Sequence, residues 1–221
     1  MQFKSILITG LILVSTGSLF AEEKKPIEPD DYFSLTFPYT LKISPDGKQI
    51  CYYELRWDKE LDKRNNDLWL LDYKAGDVRR LTFNTADDGN QTFSPDGRYI
   101  YYTSKRELGQ KDKAPYDQNK QVWRIDIGSG QLHQVTREKK GITDYELSAD
   151  GKALYYTVST ETRDDPWEKL KKDYKLTYGH GITDHHQVWK LDLIHWRSEK
   201  LVDEKRSINF FSVSSDQSRI A

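Results

Sequence analysis

Three histidines late in the chain come closest, by type and spacing, to a site that could do chemistry. His180 is followed by Asp184, His185 and His186. Imidazole nitrogens and a carboxylate at such short spacing could bind a zinc ion. Aspartates and histidines gathered in one loop more often form hydrogen bonds with the backbone of that loop. We therefore predict no metal site here.

The signatures of common catalytic and nucleotide-binding sites do not occur in the sequence. It has no Gly-x-Ser-x-Gly nucleophile motif, no Walker loop and no dinucleotide fingerprint. Gly128-Ser129-Gly130 has the two glycines of a hairpin turn and not of a phosphate cradle. Serine, histidine and aspartate are present outside any recognisable catalytic context. We therefore assign no catalytic residue and no cofactor to this chain.

The histidines belong to a long inserted arm, residues 161–186, that contains a helix signal. Asp165-Pro166-Trp167-Glu168 has a capping residue, a proline at the first helical position and an acidic residue. The spacing predicts a helix from about Pro166 to Tyr174, with Leu170 on the face of Trp167. The arm is expected to pack against a partner domain. The side chains predicted to face that domain or a substrate are Trp167, Tyr174, Tyr178 and His180.

Two unrelated motifs recur along the chain at matched spacing. One is a Ser-Pro-Asp-Gly turn and the other is a run with tryptophan that ends in aspartate. They lie at Ser44, Ser94, Ser148 and Ser214, and at Trp69, Trp123 and Trp189. The second and third turns are 54 residues apart, as are the first two tryptophans, and the next step is 66 residues in both series. The chain therefore contains an internal repeat.

Each repeat predicts a meander of four strands. Proline and glycine fix the corner between the first two strands, and the tryptophan run forms the third. The expected strands cover 41–43, 50–53, 68–72 and 78–82, then 91–93, 99–103, 122–126 and 132–136, then 145–147, 154–158, 188–192 and 199–202, and finally 210–213. Such units must pack on one another, which predicts an all-β chain: three blades of a β-propeller and the start of a fourth. The alternative, hairpins in a sandwich, does not explain the matched spacing.

Three departures from the repeat affect individual turns. Ala149 replaces proline in the third turn, and Gln217 replaces glycine at the positive-φ corner of the fourth. The substitution by Gln217 costs about 1 kcal/mol in that conformation, so we expect another form of turn there. Residues 194–197 stand where earlier units have glycine-rich turns, which makes the last hairpin of the third unit the least regular.

Long loops are predicted between the second and third strands of every unit. They cover residues 54–66, 105–120 and 161–186. Because their position in the unit is the same, all three should emerge on one face of the propeller disc. Loops clustered on one face are typical of a functional surface. The alternative for the first two is that they are only solvated excursions.

The amino-terminal residues predict secretion. Residues 1–21 have a lysine, an apolar centre and small residues before a cleavage site after Ala21, as in a signal peptide. An uncleaved anchor is the alternative. Residues 22–38 form a linker, and residues 39–221 hold the blades. The single cysteine, Cys51, excludes an internal disulfide and is expected to be a small buried hydrophobe. The formal net charge of −1 predicts no nucleic-acid surface.

The chain resembles the start of a secreted serine peptidase of the prolyl oligopeptidase family, in its dipeptidyl-peptidase and acylaminoacyl-peptidase branch. The resemblance rests on three stretches between Pro26 and Ala221. These are Glu28-Pro29-Asp30-Asp31-Tyr32-Phe33-Ser34-Leu35 leading into the first turn, the repeated motif 66–72 with Arg79-Arg80-Leu81-Thr82, and the arm from Asp165 through Gly181. The repeat itself also occurs in the periplasmic propeller of the Tol-Pal system.

The resemblance implies a roughly seven-bladed propeller followed by an α/β-hydrolase domain with a Ser, Asp and His triad beyond residue 221. In such enzymes the propeller screens peptide substrates and the serine performs acyl transfer. The paired glutamates that anchor a substrate amino terminus in the dipeptidyl branch have no counterpart, since the only such pair is Glu22-Glu23. Three units and a stub cannot close a ring, so we expect either a longer chain or self-association. The alternative function is a propeller scaffold of the cell envelope that binds proteins.

Overall fold

The computed structural model describes residues 26–58, 62–160, 166–175, 185–203, 207–208 and 210–221. Within them the chain forms three four-stranded antiparallel sheets, here called blades 1, 2 and 3, whose strands are neighbours in sequence order. Blade 1 contains β1 (Phe37–Ile43), β2 (Gln49–Asp58), β3 (Lys63–Asp72) and β4 (Val78–Arg80). Blade 2 contains β5 (Asp88–Phe93), β6 (Tyr99–Ser104), β7 (Gln121–Asp126) and β8 (Leu132–Gln134). Blade 3 contains β9 (Tyr145–Leu147), β10 (Ala153–Ser159), β11 (His186–Asp192) and β12 (Arg197–Val202). The predicted repeat of four-stranded units is confirmed.

The first turn of each repeat is held by local hydrogen bonds. In blade 1, Oγ of Ser44 donates to Oδ1 of Asp46 at 2.7 Å, and the N–H of Gly47 donates to the carbonyl of Ser44 at 2.9 Å. The same serine-to-aspartate bond begins at Ser94, Ser148 and Ser214. Because these bonds join residues two or three apart, the turn forms wherever the motif occurs.

The irregular turns keep the geometry of the regular ones. Gln217 has a φ of 59°, and its N–H donates to the carbonyl of Ser214 at 2.8 Å, so the expectation of another form of turn is wrong. Its side chain accepts a hydrogen bond from the hydroxyl of Tyr155 at 3.1 Å. Trp196 has a φ of 56° and its N–H donates to the carbonyl of Asp192, as a glycine does in the other blades. The pairing of the flanking strands therefore imposes the positive φ at these two positions, in spite of its cost for residues other than glycine.

The expected loop 54–66 is wrong for its described part. β2 continues to Asp58 and β3 begins at Lys63, with residues 59–61 outside the described residues. The pairs from Glu54↔Asp67 to Asp58↔Lys63 continue the ladder without interruption. Charged residues alternate along the β2 part of this extension, at Glu54, Arg56 and Asp58, and such a composition resembles that of a solvated loop.

Two bulges in the first strands of blades 1 and 2 receive hydrogen bonds from the next blade. Thr40 and Asn90 have positive φ and interrupt the pairing registers of β1 and β5. The side-chain amide of Gln91 donates to the carbonyl of Thr40. The hydroxyl of Tyr145 donates to the carbonyl of Asn90 at 2.6 Å. Each of these bulges thus joins two blades, and we call these bonds the bulge latches.

Two hydrophobic clusters fill the spaces between successive blades. Cys51, Leu68 and Leu70 of blade 1 pack against residues of blade 2 that include Tyr102 and Trp123. A second cluster joins blades 2 and 3. Cys51 is fully buried, as predicted, and burial raises the pKa of its thiol to about 12. The thiol is therefore protonated at neutral pH and unreactive.

The described residues contain little helix. A 3-10 helix, Pro29–Ser34, lies in the predicted linker and contacts β2. The predicted helix of the arm is present as α1, Pro166–Tyr174. Neither of these is long and apolar enough to cross a bilayer. The predicted signal peptide, residues 1–21, lies outside the described residues.

Candidate functional site

The strand order brings the predicted loops to one end of the blades. In each meander the Ser-x-Asp turn joins the first two strands at one end, and the second-to-third connection lies at the opposite end. That opposite end, here called the loop face, includes the described part of the β2–β3 hairpin, the 105–120 loop and the two ends of the arm, where the N–H of Thr160 donates to the carbonyl of His185. The connections from each blade to the next also cross it.

The 105–120 loop is organised around one buried carboxylate. Asp117 accepts hydrogen bonds from the N–H groups of Leu108 at 2.7 Å and Gln110 at 2.6 Å. Gln118 donates to Glu107 at 3.0 Å across the same loop. Two backbone donors on one carboxylate fix the path of this segment. The loop is therefore a defined surface of the loop face.

Two ion pairs with buried carboxylates lie where blade 1 meets blade 2. Asp88, at the start of β5, accepts a hydrogen bond from Arg106 at 3.0 Å, and the side chains are 0% and 8% exposed. Asp67 of β3 accepts one from Arg80 at 2.6 Å. The guanidinium of Arg106 also lies 5.6 Å from the ring centre of Trp123. The contacts of Arg106 fix the base of the 105–120 loop to blade 2.

Burial shifts the titration of both carboxyl groups. Loss of solvent raises the pKa of Asp67 to about 6, against the opposing effect of the Arg80 charge. Burial likewise raises the pKa of Asp88, although Arg106 favours its charged form. Desolvation therefore outweighs ion pairing at both positions.

A cavity of about 290 Å³ opens on the loop face beside these pairs. Its wall includes Asp88, Ser104 and Asn66 together with Lys105 and Lys120. The cavity thus offers both donors and acceptors to a polar ligand such as a peptide backbone.

The structure brings together only part of the predicted arm site. Trp167 and Tyr174 both belong to α1, and the Tyr174 side chain is 71% exposed. Tyr178 and His180 lie outside the described residues. The arm therefore remains a predicted contact surface.

Two of the three histidines of the arm lie in the described part of the chain. His186 is the first residue of β11 and is buried, and its Nδ1 accepts a hydrogen bond from the N–H of Ile208 at 3.2 Å. The carbonyl of His185 accepts from the N–H of Thr160 at 2.8 Å. Among the described residues no group of three His, Cys, Asp or Glu side chains could hold a metal ion.

The buried ion pairs were missed by the sequence analysis. Asp67 precedes an apolar run, and Asp88 falls between two predicted strands, so neither looks unusual. One signal was available for Asp67, because an aspartate on the buried face of a strand requires a cation nearby. No comparable signal pointed to the pairing of Asp88 with Arg106.

Comparison with known proteins identifies peptidases as similar chains. No family model matches the sequence. Uncharacterized peptidase YuxL of Bacillus subtilis is 27% identical over 153 residues, which are 68% of this chain and 22% of that protein. This chain therefore spans less than a quarter of that relative.

Two solved structures share the fold. Acylaminoacyl peptidase of Pyrococcus horikoshii has a TM-score of 0.54 at 14% identity, over 77% of this chain and 26% of that chain. The β-propeller domain of the Trilobed protease from Pyrococcus furiosus has a TM-score of 0.53 at 16% identity, over 84% of this chain and 47% of that chain. At such identities the likeness establishes the fold. The three sheets are blades of a β-propeller, and the chain resembles the propeller portion of prolyl oligopeptidase family peptidases.

Proposed function

We propose that this chain is the amino-terminal propeller portion of a secreted serine exopeptidase, which gates and helps bind peptide substrates. A carboxy-terminal α/β-hydrolase domain, absent from this chain, performs the hydrolysis. The observation that carries the proposal is the sequence match to a peptidase over 68% of this chain, on a fold shared with peptidase propellers. The ordered 105–120 loop and the polar cavity supply surfaces on which a peptide can be held.

The proposed division of labour explains the chemistry of the chain. Its sequence has no nucleophile motif, so peptide-bond cleavage needs a serine from the second domain. The propeller lies across the path to that serine and admits substrates by size. The inserted arm, residues 161–186, extends the loop face that the hydrolase domain covers.

The test uses the full-length enzyme, encoded by a reading frame that continues past Ala221 to a Gly-x-Ser-x-Gly motif. Replacement of residues 163–182 by a short Gly-Ser linker widens the path over the loop face. We expect the hydrolysis rate of a ten-residue peptide to rise several-fold relative to that of a chromogenic dipeptide substrate. K48A, which changes an exposed turn at the opposite end of blade 1, is the matched control.

Three results would contradict the proposal. One is a stop codon directly after Ala221, and a second is an unchanged ratio of long to short substrates in the linker variant. The third is hydrolysis, or labelling by a serine-reactive phosphonate probe, of the 221-residue chain alone. The mass of the enzyme recovered from periplasm or medium tests secretion, and we expect its sequence to begin at Glu22.

A further inference from the structure

A groove runs along the outer edge of blades 1 and 2 and reaches the loop face at Arg106. It has a volume of about 450 Å³ and runs between residues 79–84 of blade 1 and the β7–β8 hairpin of blade 2. β4 and β8 are edge strands of their sheets, opposite β1 and β5, which contact each other. The volume is that of a small-ligand pocket and exceeds the volume that one ion fills. We call it the outer groove.

Three arginines line the outer groove, namely Arg79, Arg80 and Arg106. Arg79 donates to a backbone carbonyl of blade 2 at 2.6 Å, and no carboxylate of the described residues forms an ion pair with it. Arg80 and Arg106 pair with Asp67 and Asp88, which are not part of the wall. Three guanidinium charges against two carboxylates leave the wall with net positive charge, and guanidinium groups bind oxyanions well.

One of these arginines is held in place and has an unused donor. Arg106 is 8% exposed, and its guanidinium lies 5.6 Å from the ring centres of both Tyr102 and Trp123. Its Nε is buried without a hydrogen-bond partner. A guanidinium held over two rings and bonded to a carboxylate loses little freedom when a ligand binds.

The margin of the outer groove is apolar. Phe83 and Leu132 line it and are exposed side chains. The guanidinium of Arg80 lies 4.8 Å from the ring centre of Phe83, so charge and apolar surface adjoin. A ligand that matches this wall carries both an anionic group and an apolar group.

The equivalent groove between blades 2 and 3 provides an internal comparison. The hydroxyl of Thr82 accepts a hydrogen bond from the N–H of Leu68, and the hydroxyl of Thr136 accepts one from the N–H of Val122. Because these residues occupy the same positions in their repeats, the two grooves are equivalent. The second groove, about 280 Å³, has Trp196 in place of a glycine and both Arg137 and Glu138 in its wall. It is smaller and carries both signs of charge, so the cationic wall is specific to blades 1 and 2.

We propose that the outer groove binds the carboxylate of an acidic peptide segment, with a neighbouring apolar side chain on Phe83 and Leu132. The arginines donate to the carboxylate, and the apolar margin excludes water from these bonds. The site lies on the outer edge of the blades and is distinct from the loop-face cavity, and the inference goes beyond the proposed function. A free phosphate would satisfy the charges but leave the apolar margin uncovered.

The test measures binding of two blocked peptides to the 221-residue chain by titration calorimetry at low salt. Acetyl-Phe-Glu-Leu-amide is expected to bind about tenfold more tightly than acetyl-Phe-Gln-Leu-amide, because charged hydrogen bonds are worth more than neutral ones. R79Q should weaken binding of the acidic peptide by about tenfold. R137Q, from the equivalent groove, is the matched control and should leave it unchanged.

L132E provides a second test if R79Q alters folding. It places a carboxylate at the exposed margin of the groove, and we expect this carboxylate to bind the arginines in place of the peptide and so abolish peptide binding. Equal binding of the two peptides, or an unchanged affinity in L132E, would overturn the proposal. Displacement of the acidic peptide by inorganic phosphate at equal concentration would also overturn it and indicate a site for small oxyanions.

Discussion

At the scale of single residues, burial and ion pairing act in opposite directions on Asp67. The side chain is 3% exposed and bonded to Arg80, yet loss of solvent raises its pKa from 3.8 to about 6. The native state therefore binds a proton more tightly than the unfolded state does. Asp67 therefore makes its full contribution to the free energy of unfolding below pH 3.8, and this contribution is lost as the pH rises through 6.

The first prediction concerns this titration. D67N removes the titrating group, so the fall in the free energy of unfolding between pH 4 and pH 6 should become shallower than in the wild type. Urea unfolding at a series of pH values measures the slope. D46N is the control, because bonds from Ser44 and Lys48 lower the pKa of Asp46 to about 2, which places its effect below pH 4. An unchanged slope in D67N would refute the assignment.

Two departures from the repeat occupy facing positions. The glycine of one turn packs against the proline of the preceding turn: a Cβ on Gly97 would lie 3.7 Å from Pro45, and a Cβ on Gly151 only 2.9 Å from Pro95. In the next pair along the repeat both residues differ, with Ala149 at the proline position and Gln217 at the glycine position. The loss of the proline ring thus accompanies the gain of a side chain.

The second prediction is a double-mutant cycle at this pair. A149P adds a ring against the Cβ of Gln217 and should reduce the free energy of unfolding by about 1–3 kcal/mol, as overpacking does. In the Q217G background the same change should be tolerated or stabilising, because glycine leaves room for the ring. Thermal and urea unfolding of the four chains give the coupling energy. Additive effects would show that the two positions do not interact.

At the scale of elements, the bulge latches connect each described blade to the next. Gln91 and Tyr145 lie at the same position in their repeats, three residues before the turn serine, and each reaches the bulge of the preceding blade. In blade 3 the equivalent carbonyl, of Asp144, accepts the N–H of Thr157 within the blade. The residue at the donor position of the fourth unit is Phe211, which has no side-chain donor.

The third prediction tests one latch. Y145F removes the hydroxyl and leaves the carbonyl of Asn90 without this donor, which should cost about 1–2 kcal/mol in the free energy of unfolding. Urea unfolding with an unchanged m value measures the loss. Y73F alters an exposed tyrosine and should have no effect. Equal stabilities of the two variants would mean that water replaces the latch.

The elements also show which features the sequence could predict. The turns at Ser44 and Ser94 depend on bonds between residues two or three apart, so the motif alone specifies them. The β2–β3 hairpin was mistaken for a loop because its charged residues obscure the strand pattern. The pair of Asp88 with Arg106 joins residues 18 apart, and it forms because the register of β5 and β6 places Asp88 opposite Ser104, two residues before Arg106.

At the scale of the whole molecule, the chain presents two surfaces of different character. The loop face carries ordered loops and a polar cavity, and the outer groove is cationic with an apolar margin. The proposed peptidase activity depends on the loop face. The outer groove and the loop-face cavity have different linings, so R79Q in the groove and the linker variant of the arm should affect different measurements.

The bulge latches also bear on how the protein is made. Each latch donor lies 51 or 55 residues after the carbonyl it binds, and so it leaves the ribosome later. During synthesis a blade can form its own strand ladder first. The carbonyl of its bulge receives the latch hydrogen bond only after the first strand of the following blade has been made. The bulge latches should therefore form in order from the amino terminus during translation. If the ribosome pauses between two blades, the bulge carbonyl of the last completed blade has no latch donor until synthesis resumes.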